Sequence, residues 1–455
     1  MIIPILLLLL FVMITQLFII ARYQTFAVHI ASALVVLSCT EFLKRFLYLE
    51  GSVDPLFYYS ILSSFDVFMG VIFFTRLKSV GALTVIFLMV LSLFGAYSIF
   101  QGKALGFILA TRSCYYLIAL VCFKDSYYVE TKQSQFIHIL LLGVLTTFSI
   151  LYGCVQYFYD YLPWEYTWGL FSPAQMSLKA MSNFGHANRA FACFSGNQVH
   201  ALILTYMFIW LYFNFPKAFL YPSRYVILAF YLLGIFIAGS KGLMVGTLLS
   251  FCLYYCRKII NFKAIFIAIV IVPFSAYWLI SNSLLYFLQT FLYAKTPSFM
   301  AGMLDPMSFS PRLMIFSQFF KSLETNYTLF LGHGSSALDL ASNFNTDNMY
   351  LSILYEFGVL GVVAFIYLLY QFLKRNDIVF KTLGSTSEYF RKNAAICFVF
   401  FSANLFNFLT SQSIVSNGGL LLFLLIIGYQ RGLFCSAKKV HFQTTFKNCQ
   451  TSLAR

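Results

Sequence analysis

The sequence predicts an all-α, polytopic transmembrane helix bundle of about 12–13 spans, on three observations. Only 10% of the 455 residues are charged and 60% are hydrophobic, whereas a soluble protein of this size carries roughly 25% charged residues. The mean hydropathy is +0.81. Apolar runs of about 20 residues, long enough to cross a bilayer as helices, recur from one end of the chain to the other. The chain is therefore expected to lie mostly within a membrane.

The apolar runs fall into groups separated by two longer polar segments. N-terminal helices are predicted within 1–160 and central helices within 161–282, with an interfacial loop at 160–197. One large loop at 283–348 precedes the C-terminal helices at 349–430 and a basic tail at 431–455. The predicted spans are 2–21, 26–43, 57–75, 79–100, 104–123, 136–159, 198–214, 224–239, 242–256, 264–282, 349–372, 393–411 and 416–430.

The positions of Lys and Arg predict the orientation of these spans. Most of the 30 basic residues lie in short loops on one side and in the C-terminal tail, and the positive-inside rule assigns that side to the cytoplasm. The large loop at 283–348 then faces outside. Lys44 and Arg45 are an exception, because an odd number of spans puts them outside as well. The formal charge of +15 follows from topology, so no nucleic-acid partner is expected.

Four cations lie away from the cytoplasmic side and predict an anionic ligand. Arg112 is inside the span at 104–123, Arg189 precedes a span, Lys241 is in a tight turn, and Arg312 is in the large loop. A charge near hydrocarbon costs several kcal/mol, and few carboxylates are present to neutralise these four. Snorkelling remains an alternative for Arg189 and Lys241, pairing with Asp66 for Arg112, and solvation for Arg312.

A second group of polar residues occurs where the large loop ends. Gly332 and Gly334 flank His333, and glycines there allow exposed backbone N–H groups to bind an anion. Asp347 and Asn348 stand directly before an apolar run. A carboxylate in this position can act as a general base on a hydroxyl, although Asp or Asn before a helix is also an ordinary N-cap. His333 is the alternative base.

The sequence lacks the motifs that several classes of enzyme and transporter require. There is no HExxH, no DxD pair and no carboxylate cluster, so a metal-dependent sugar-nucleotide transferase is disfavoured. A Walker A sequence is absent, so the chain is not a primary pump. We therefore expect neither a metal nor another cofactor.

Four patches occur in order between Arg189 and Phe372. They are Arg189 with Phe194, Gly196 and Asn197; Gly239-Ser240-Lys241-Gly242; Ser310-Pro311-Arg312-Leu313 with Leu331-Gly332-His333-Gly334; and Asp347-Asn348-Met349-Tyr350-Leu351 with Glu356 to Gly361. Their order, their spacing and the long loop resemble the O-antigen polymerase and O-antigen ligase superfamily of membrane glycosyltransferases. Lys241 replaces the arginine of that family's Ser-Arg-Gly turn, and Asp347 replaces the histidine of its ligases.

The resemblance implies an enzyme of lipopolysaccharide biosynthesis that transfers a glycan from an undecaprenyl diphosphate carrier at the periplasmic face of the bacterial inner membrane, without metal. It assigns Arg189, Lys241 and Arg312 to the diphosphate, and Asp347, or alternatively His333, to the acceptor hydroxyl. Arg312 would also stabilise the leaving group. Residues expected to support the site are Asn197, Asn348, Gly332, Gly334 and, beyond the reach of the resemblance, Arg112.

Three functions remain open at this point. Asp347 favours a polysaccharide polymerase that joins lipid-linked repeat units. A ligase that moves the glycan onto lipid A-core or protein is the nearest alternative, and a flippase for the same lipid-linked glycan is an alternative from another class. The expected partners are the undecaprenyl-diphosphate-linked glycan, membrane lipid and a chain-length regulator protein.

Overall fold

In the computed structural model the described part of the chain is helical. The described residues are 2–23, 25–47, 61, 64–72, 131–171, 190–194, 196–214, 221–257, 264, 267, 330–332, 349–382, 388–407, 422, 426, 427, 430 and 432–435.

Nine helices cover most of these residues, and no strand occurs in this part of the chain, as the all-α prediction requires. They are α1 (Ile2–Tyr23), α2 (Phe26–Phe46), α3 (Lys132–Phe158), α4 (Pro163–Phe171), α5 (Asn197–Asn214), α6 (Tyr221–Ile237), α7 (Lys241–Cys256), α8 (Met349–Thr382) and α9 (Glu388–Asn407).

Four helices in the described ranges are long and apolar enough to cross a membrane. They are Ile3–Tyr23, Ala27–Phe46, Gln133–Phe158 and Phe357–Lys381, and two shorter apolar helices span Ser223–Ile237 and Gly242–Cys256. Large apolar side chains are exposed on α1, where Phe18 is 73% accessible. Such exposure is expected where lipid replaces water, so the helices are those of a candidate multi-pass membrane protein.

The centre of the bundle is α5. Every residue from Val199 to Ile209 is buried, as expected for a helix that is apolar on all sides. It packs against α3, α6 and α9. The Tyr206 ring lies edge-on to Phe400 at 5.6 Å between centroids.

Helices α7 and α9 form the most extensive pair and run antiparallel. Near the start of α7, a Cβ added at Gly246 would lie 2.5 Å from the Ala403 carbonyl oxygen. Near its end, the Tyr254 ring lies 6.5 Å from that of Phe398. A residue without a side chain at Gly246 therefore allows the two backbones to approach closely.

Helix α8 runs antiparallel to α9. Phe372 stacks on Phe401 with centroids 3.7 Å apart, and Asn376 Nδ2 donates to the Ala394 carbonyl at 3.3 Å. Gly358 interrupts α8 with φ 63° and ψ −163°, far from helical values. This backbone region favours glycine, so the kink in α8 is located at that residue.

The helices have two distinct ends. The basic end is defined by Arg224, Arg257, Arg391 and Lys392, which line one cavity where α5 and α7 finish and α6 and α9 begin. The opposite end is defined by Arg45, Glu165, the loop 190–196 and the turn 238–240 between α6 and α7. Cations that the sequence assigned to one membrane side are thus adjacent in space.

Several helices continue past their predicted boundaries into charged residues. Helix α1 ends at Tyr23, beyond Arg22, and α3 begins at Lys132 instead of 136. Helix α2 ends at Phe46, so Lys44 and Arg45 belong to its last turn. Helix α8 ends at Thr382 instead of 372, and α9 begins at Glu388 instead of 393. Long cationic side chains can extend from a helix that continues beyond its apolar core. The predicted spans 79–100 and 104–123 lie outside the described residues, and 57–75, 264–282 and 416–430 lie mostly outside them.

Candidate functional site

A buried ion pair organises the opposite end. Arg45 has no exposed surface and its Nη1 lies 3.2 Å from Glu165 Oε1, which is also fully buried. The same guanidinium donates to the carbonyl oxygens of Ala192 and Phe194. Burial of a charge is tolerated only with pairing and hydrogen bonds of this kind, so Arg45 serves as a fixed internal partner for the loop 190–196.

Aromatic rings enclose the Arg45 guanidinium. Its Cζ lies 4.4 Å from the ring centroid of Phe191 and 4.9 Å from that of Trp168. Trp168 belongs to α4, and only 2% of it is accessible. The tryptophan of the predicted interfacial segment therefore packs inside the protein, where the aromatic face stabilises a cation.

Glu165 is the acceptor at the centre of a polar network. Its Oε1 accepts from the Tyr152 hydroxyl at 2.8 Å and from Gln156 Nε2 at 2.7 Å. Its Oε2 accepts from the backbone N–H of Leu162 at 3.1 Å. The carboxylate thus binds α3, the start of α4 and, through Arg45, α2.

Gln156 connects this network to the loop. Its Oε1 accepts from the backbone N–H groups of Phe191 at 3.1 Å and Ala192 at 2.7 Å. Ala192 has φ 46°, a left-handed conformation that is unusual for a residue with a Cβ. Such a conformation costs on the order of 1–3 kcal/mol and persists where the surroundings impose it. Here Gln156 holds the N–H of Ala192 and Arg45 holds its carbonyl.

The loop thiol is not a candidate nucleophile. Cys193 is buried, and burial raises the pKa of its thiol to about 12. Only a thiolate attacks efficiently. Cys193 therefore fills space in the loop as a neutral group.

The loop 190–196 is also joined to the turn between α6 and α7. The backbone N–H of Ala190 donates to the carbonyl of Ile237 at 3.0 Å, and Asn197 Nδ2 donates to the carbonyl of Ala238 at 3.0 Å. His200 Nδ1 lies 3.0 Å from the Ala190 carbonyl. We call these contacts the loop–turn junction. It holds the residue that follows Arg189 next to the turn that leads into Lys241.

The turn itself explains why α7 starts where it does. Gly239 has φ 67°, and its N–H donates to the Phe236 carbonyl at 2.9 Å, which closes the end of α6. A glycine in this conformation commonly ends a helix. Ser240 then adopts a non-helical conformation and α7 begins at Lys241. The backbone of Lys241 thus occupies the first position of a helix at the opposite end, next to the loop–turn junction.

A second backbone contact joins the third and fourth sequence patches. Gly332 has φ 76° and is buried. A Cβ added at Gly358 would lie 2.7 Å from the Gly332 backbone nitrogen and would overlap with the Phe330 carbonyl oxygen. The end of the large loop therefore packs directly on the kink of α8. The four patches are joined in two pairs, the first with the second and the third with the fourth.

The structure describes part of the predicted site. Asn197 and Gly332 are described, and so is the backbone of Lys241. The predicted residues that lie outside the described ones are Arg112, Arg189, Arg312, His333, Gly334, Asp347 and Asn348, together with the side chain of Lys241. Among the residues that the structure does describe, no three His, Cys, Asp or Glu side chains form a group suited to a metal ion.

Sequence reasoning missed Arg45, Glu165 and Gln156 as a structural unit. The signal for Arg45 was present, because the pair Lys44 and Arg45 did not fit the positive-inside pattern. The structure accounts for it: both cations are buried, Lys44 is paired with Glu41, and Arg45 is paired with Glu165. Paired internal charges do not report on topology as solvated loop charges do. Nothing in the sequence marked Gln156 as their partner.

Comparisons with known proteins give no relative for this chain: no family model, no curated protein and no solved structure matches it.

Proposed function

We propose that the chain is a membrane glycosyltransferase of the O-antigen polymerase type, which joins undecaprenyl-diphosphate-linked repeat units. The observation that carries the proposal is the loop–turn junction. It brings the backbone that follows Arg189 to the backbone that precedes Lys241, at an end of the bundle where Lys44 and Arg45 are paired with the buried carboxylates Glu41 and Glu165. Two chain segments that each carry a cation are thereby joined, which supports a shared anionic ligand.

The proposed topology follows from the two ends of the bundle. We assign the basic end to the cytoplasm, in agreement with the positive-inside rule, and the opposite end to the periplasm. About 12–13 spans, a periplasmic loop at 283–348 and a cytoplasmic C-terminus complete this arrangement in a bacterial inner membrane. The lipid-linked donor would then meet Arg189 and Lys241 from the periplasmic leaflet.

The proposed reaction is a displacement at the anomeric carbon of the donor sugar. The oxygen of an acceptor hydroxyl forms the new glycosidic bond, the bond from that carbon to the diphosphate breaks, and undecaprenyl diphosphate leaves. Arg189, Lys241 and Arg312 would bind the diphosphate and stabilise the charge that develops on the departing oxygen. Asp347 would accept the hydroxyl proton, with His333 as the second candidate. No metal is required by this scheme.

The buried network would give this site its rigidity. Catalytic groups act best when surrounding contacts hold them before the substrate binds. Arg45, Glu165 and Gln156 fix the loop that begins one residue after Arg189. We therefore assign these three to positioning rather than to contact with substrate.

A strain that lacks the gene tests the function. Loss of a polymerase leaves a single repeat unit on the lipid A-core, visible as one short band on a gel of surface glycan. Absence of any glycan on the core, with long chains still on the carrier lipid, would identify a ligase instead. Loss of surface glycan together with lipid-linked units trapped on the cytoplasmic side would identify a flippase.

Point variants in the complemented strain test the residue roles. Arg189→Ala and Arg312→Ala are expected to abolish long chains while the protein remains in the membrane. A normal distribution of chain lengths in both would contradict the diphosphate role. Asp347→Asn is expected to be inactive, and wild-type activity would reduce Asp347 to a helix cap.

A further inference from the structure

The basic end contains a cavity of about 390 Å³ that the proposed reaction does not use. Four cations from three segments line it: Arg224 at the start of α6, Arg257 directly after α7, and Arg391 and Lys392 at the start of α9. The cavity lies at the other end of the bundle from the loop–turn junction. It is therefore a separate site.

The cations at this cavity are supported mainly by aromatic groups. Arg257 Cζ lies 3.6 Å from the ring centroid of Phe380 and 4.1 Å from that of Tyr254. Burial lowers the pKa of the Arg257 guanidinium, the Tyr254 hydroxyl offsets this in part, the positive charge of Arg391 lowers it further, and the carboxylate of Asp377 raises it by a smaller amount. A half-buried guanidinium beside another cation favours an anion as its neighbour.

Carboxylates at the cavity are few within the described residues. The Lys392 ammonium pairs with Glu388 Oε1 at 3.0 Å, on α9 itself. Arg257 Nη1 is buried and has no hydrogen-bond partner in the described part of the chain. A buried donor left without an acceptor costs about 1–3 kcal/mol. An oxygen-rich anion in the cavity would supply that acceptor.

Hydroxyl groups add neutral donors to the same cavity. The Tyr212 and Tyr255 hydroxyl oxygens are 2.5 Å apart, and both residues line the cavity. Arg224 Nη2 donates to the backbone carbonyl of Tyr212 at 2.9 Å, which fixes the guanidinium at the cavity wall. Guanidinium and hydroxyl donors together match the oxygens of a phosphate.

The surroundings of the cavity favour a lipid over a free anion. The helices that lead away from it toward the middle of the bundle expose apolar side chains, with Val226 on α6 and Leu248 on α7 each 68% accessible. Leu248 lies nine residues before Arg257, which corresponds to about 13 Å along a helix. Phosphate at the cavity and acyl chains on these apolar faces are the two parts of one phospholipid. Basic pockets between helices on the cytoplasmic side commonly bind anionic head groups.

We infer that this cavity binds the phosphodiester of an anionic glycerophospholipid, with the acyl chains lying against α6 and α7. The inference does not depend on the glycan chemistry at the opposite end. It assigns a ligand to Arg224, Arg257, Arg391 and Lys392. From the sequence, these four residues indicated only the topology.

The test is lipid binding to the purified full-length protein in neutral detergent, measured by native mass spectrometry. Dioleoylphosphatidylglycerol is expected to remain bound at concentrations where dioleoylphosphatidylcholine does not. Each cation near a membrane surface contributes roughly 1 kcal/mol to such binding, or about fivefold. Arg391→Gln is therefore expected to weaken phosphatidylglycerol binding about fivefold, and Arg257→Gln/Arg391→Gln is expected to weaken it more than Arg391→Gln does.

Arg22→Gln is the matched control, because Arg22 is an exposed cation at the end of α1 that does not line the cavity. It is expected to bind like the wild type. Arg391 is exposed, so its variant should fold, and an unchanged thermal unfolding curve verifies that. Equal binding of phosphatidylcholine, or equal weakening by Arg22→Gln, would overturn the inference. Displacement of the lipid by equimolar inorganic phosphate would overturn it too, since the site would then bind a free anion.

Discussion

The two ends of the bundle use the same residue types in different ways. At the opposite end, Lys44 and Arg45 are buried and each has its own carboxylate, Glu41 and Glu165. At the basic end, Arg224 and Arg257 are packed on aromatic rings beside a cavity, and the buried Nη1 of Arg257 has no acceptor in the described part of the chain.

This difference distinguishes cations that stabilise the fold from cations that are able to bind a ligand. Both terminal nitrogens of Arg45 have acceptors, Glu165 and the carbonyls of Ala192 and Phe194, so Arg45 stabilises the loop that follows Arg189. Its Nε has no acceptor in the described part of the chain, but the side chain is fully buried and does not line the cavity. A cation with unused donors beside an open cavity can bind an anion from outside. The carboxylate and carbonyl partners of each cation therefore indicate its role better than its position in the sequence does.

Breaking the buried pair is expected to have the largest effect. Arg45→Met leaves Glu165 charged, buried and without its cation, which typically costs about 3–5 kcal/mol. We expect a large fall in the thermal unfolding temperature in detergent and loss of long glycan chains. Chain-length gels and unfolding curves measure both.

The double variant Arg45→Met/Glu165→Gln sharpens this prediction. Removing both charges removes the uncompensated one, so part of the stability lost in the single variant should return. Glycan length should not return to normal, because the donors to Ala192 and Phe194 are still missing. A single variant as stable as the wild type would show that the pair does not hold this end together.

A substitution at the α8 kink is expected to have the next largest effect. In Gly358→Ala the new Cβ would overlap with the Phe330 carbonyl oxygen, in a backbone conformation with φ 63° that disfavours side chains. The cost is about 1–3 kcal/mol from the backbone conformation alone. A lower unfolding temperature and shorter glycan chains are expected.

Gly143→Ala is the control for Gly358→Ala. Gly143 lies inside α3, has no heavy atom within 4 Å of an added Cβ and has helical backbone. Alanine there should be neutral or stabilising by up to about 1 kcal/mol. Equal destabilisation by the two alanines would mean that the contact between Gly332 and Gly358 does not determine the stability lost in Gly358→Ala.

Removing the side chain of the loop–turn junction is expected to have a smaller effect on stability. Asn197→Ala deletes the hydrogen bond to the Ala238 carbonyl, at a net cost of about 1 kcal/mol. Glycan chain length should nevertheless fall, because the bond aligns the two proposed diphosphate-binding segments. Asn393→Ala is the matched control: among the described residues its Nδ2 donates to the Tyr389 carbonyl of the same helix, α9, so chain length should not change. A normal distribution of glycan chain lengths in Asn197→Ala would show that activity does not require the loop–turn junction.

The smallest effect is expected at an exposed ion pair. Lys381 Nζ lies 2.6 Å from Asp377 Oδ2, but the lysine side chain is 72% accessible. Exposed pairs of this spacing contribute about 0.3–0.5 kcal/mol. Lys381→Ala should therefore leave the unfolding temperature within about 1 °C of wild type. A fall as large as that of Arg45→Met would remove the distinction between buried and exposed pairs.

The sequence was sufficient for features that depend on local composition. Apolar length predicted α1, α5 and α7 to within about three residues, and the basic clustering anticipated the group around Arg257 and Arg391. The sequence did not predict contacts between segments that are distant in the chain. Arg45 and Glu165 are 120 residues apart in the chain, and no local pattern relates a helix terminus to a carboxylate at that distance.

In the candidate site, too, local features could be predicted from the sequence and long-range contacts could not. The sequence predicted a tight turn at Gly239 and a tight backbone at Gly332, and both residues have positive φ, a conformation that few other residues adopt. The catalytic roles given to Arg312, His333 and Asp347 rest on residue type, position in the sequence and the resemblance, and they stay predictions. Their positions depend on long-range packing that neither hydropathy nor spacing encodes.

The most direct test of the central claim is polymerisation by the purified full-length protein with an undecaprenyl-diphosphate-linked repeat unit as donor and acceptor. The account predicts long chains from the wild type and from Lys381→Ala without added metal. Arg189→Ala and Lys241→Ala, two segments joined by the loop–turn junction, should each lower the rate by roughly 10²–10³-fold, as loss of leaving-group stabilisation does. Wild-type rates from both variants, in a preparation where the wild type is active, would contradict a shared diphosphate site at this end of the bundle.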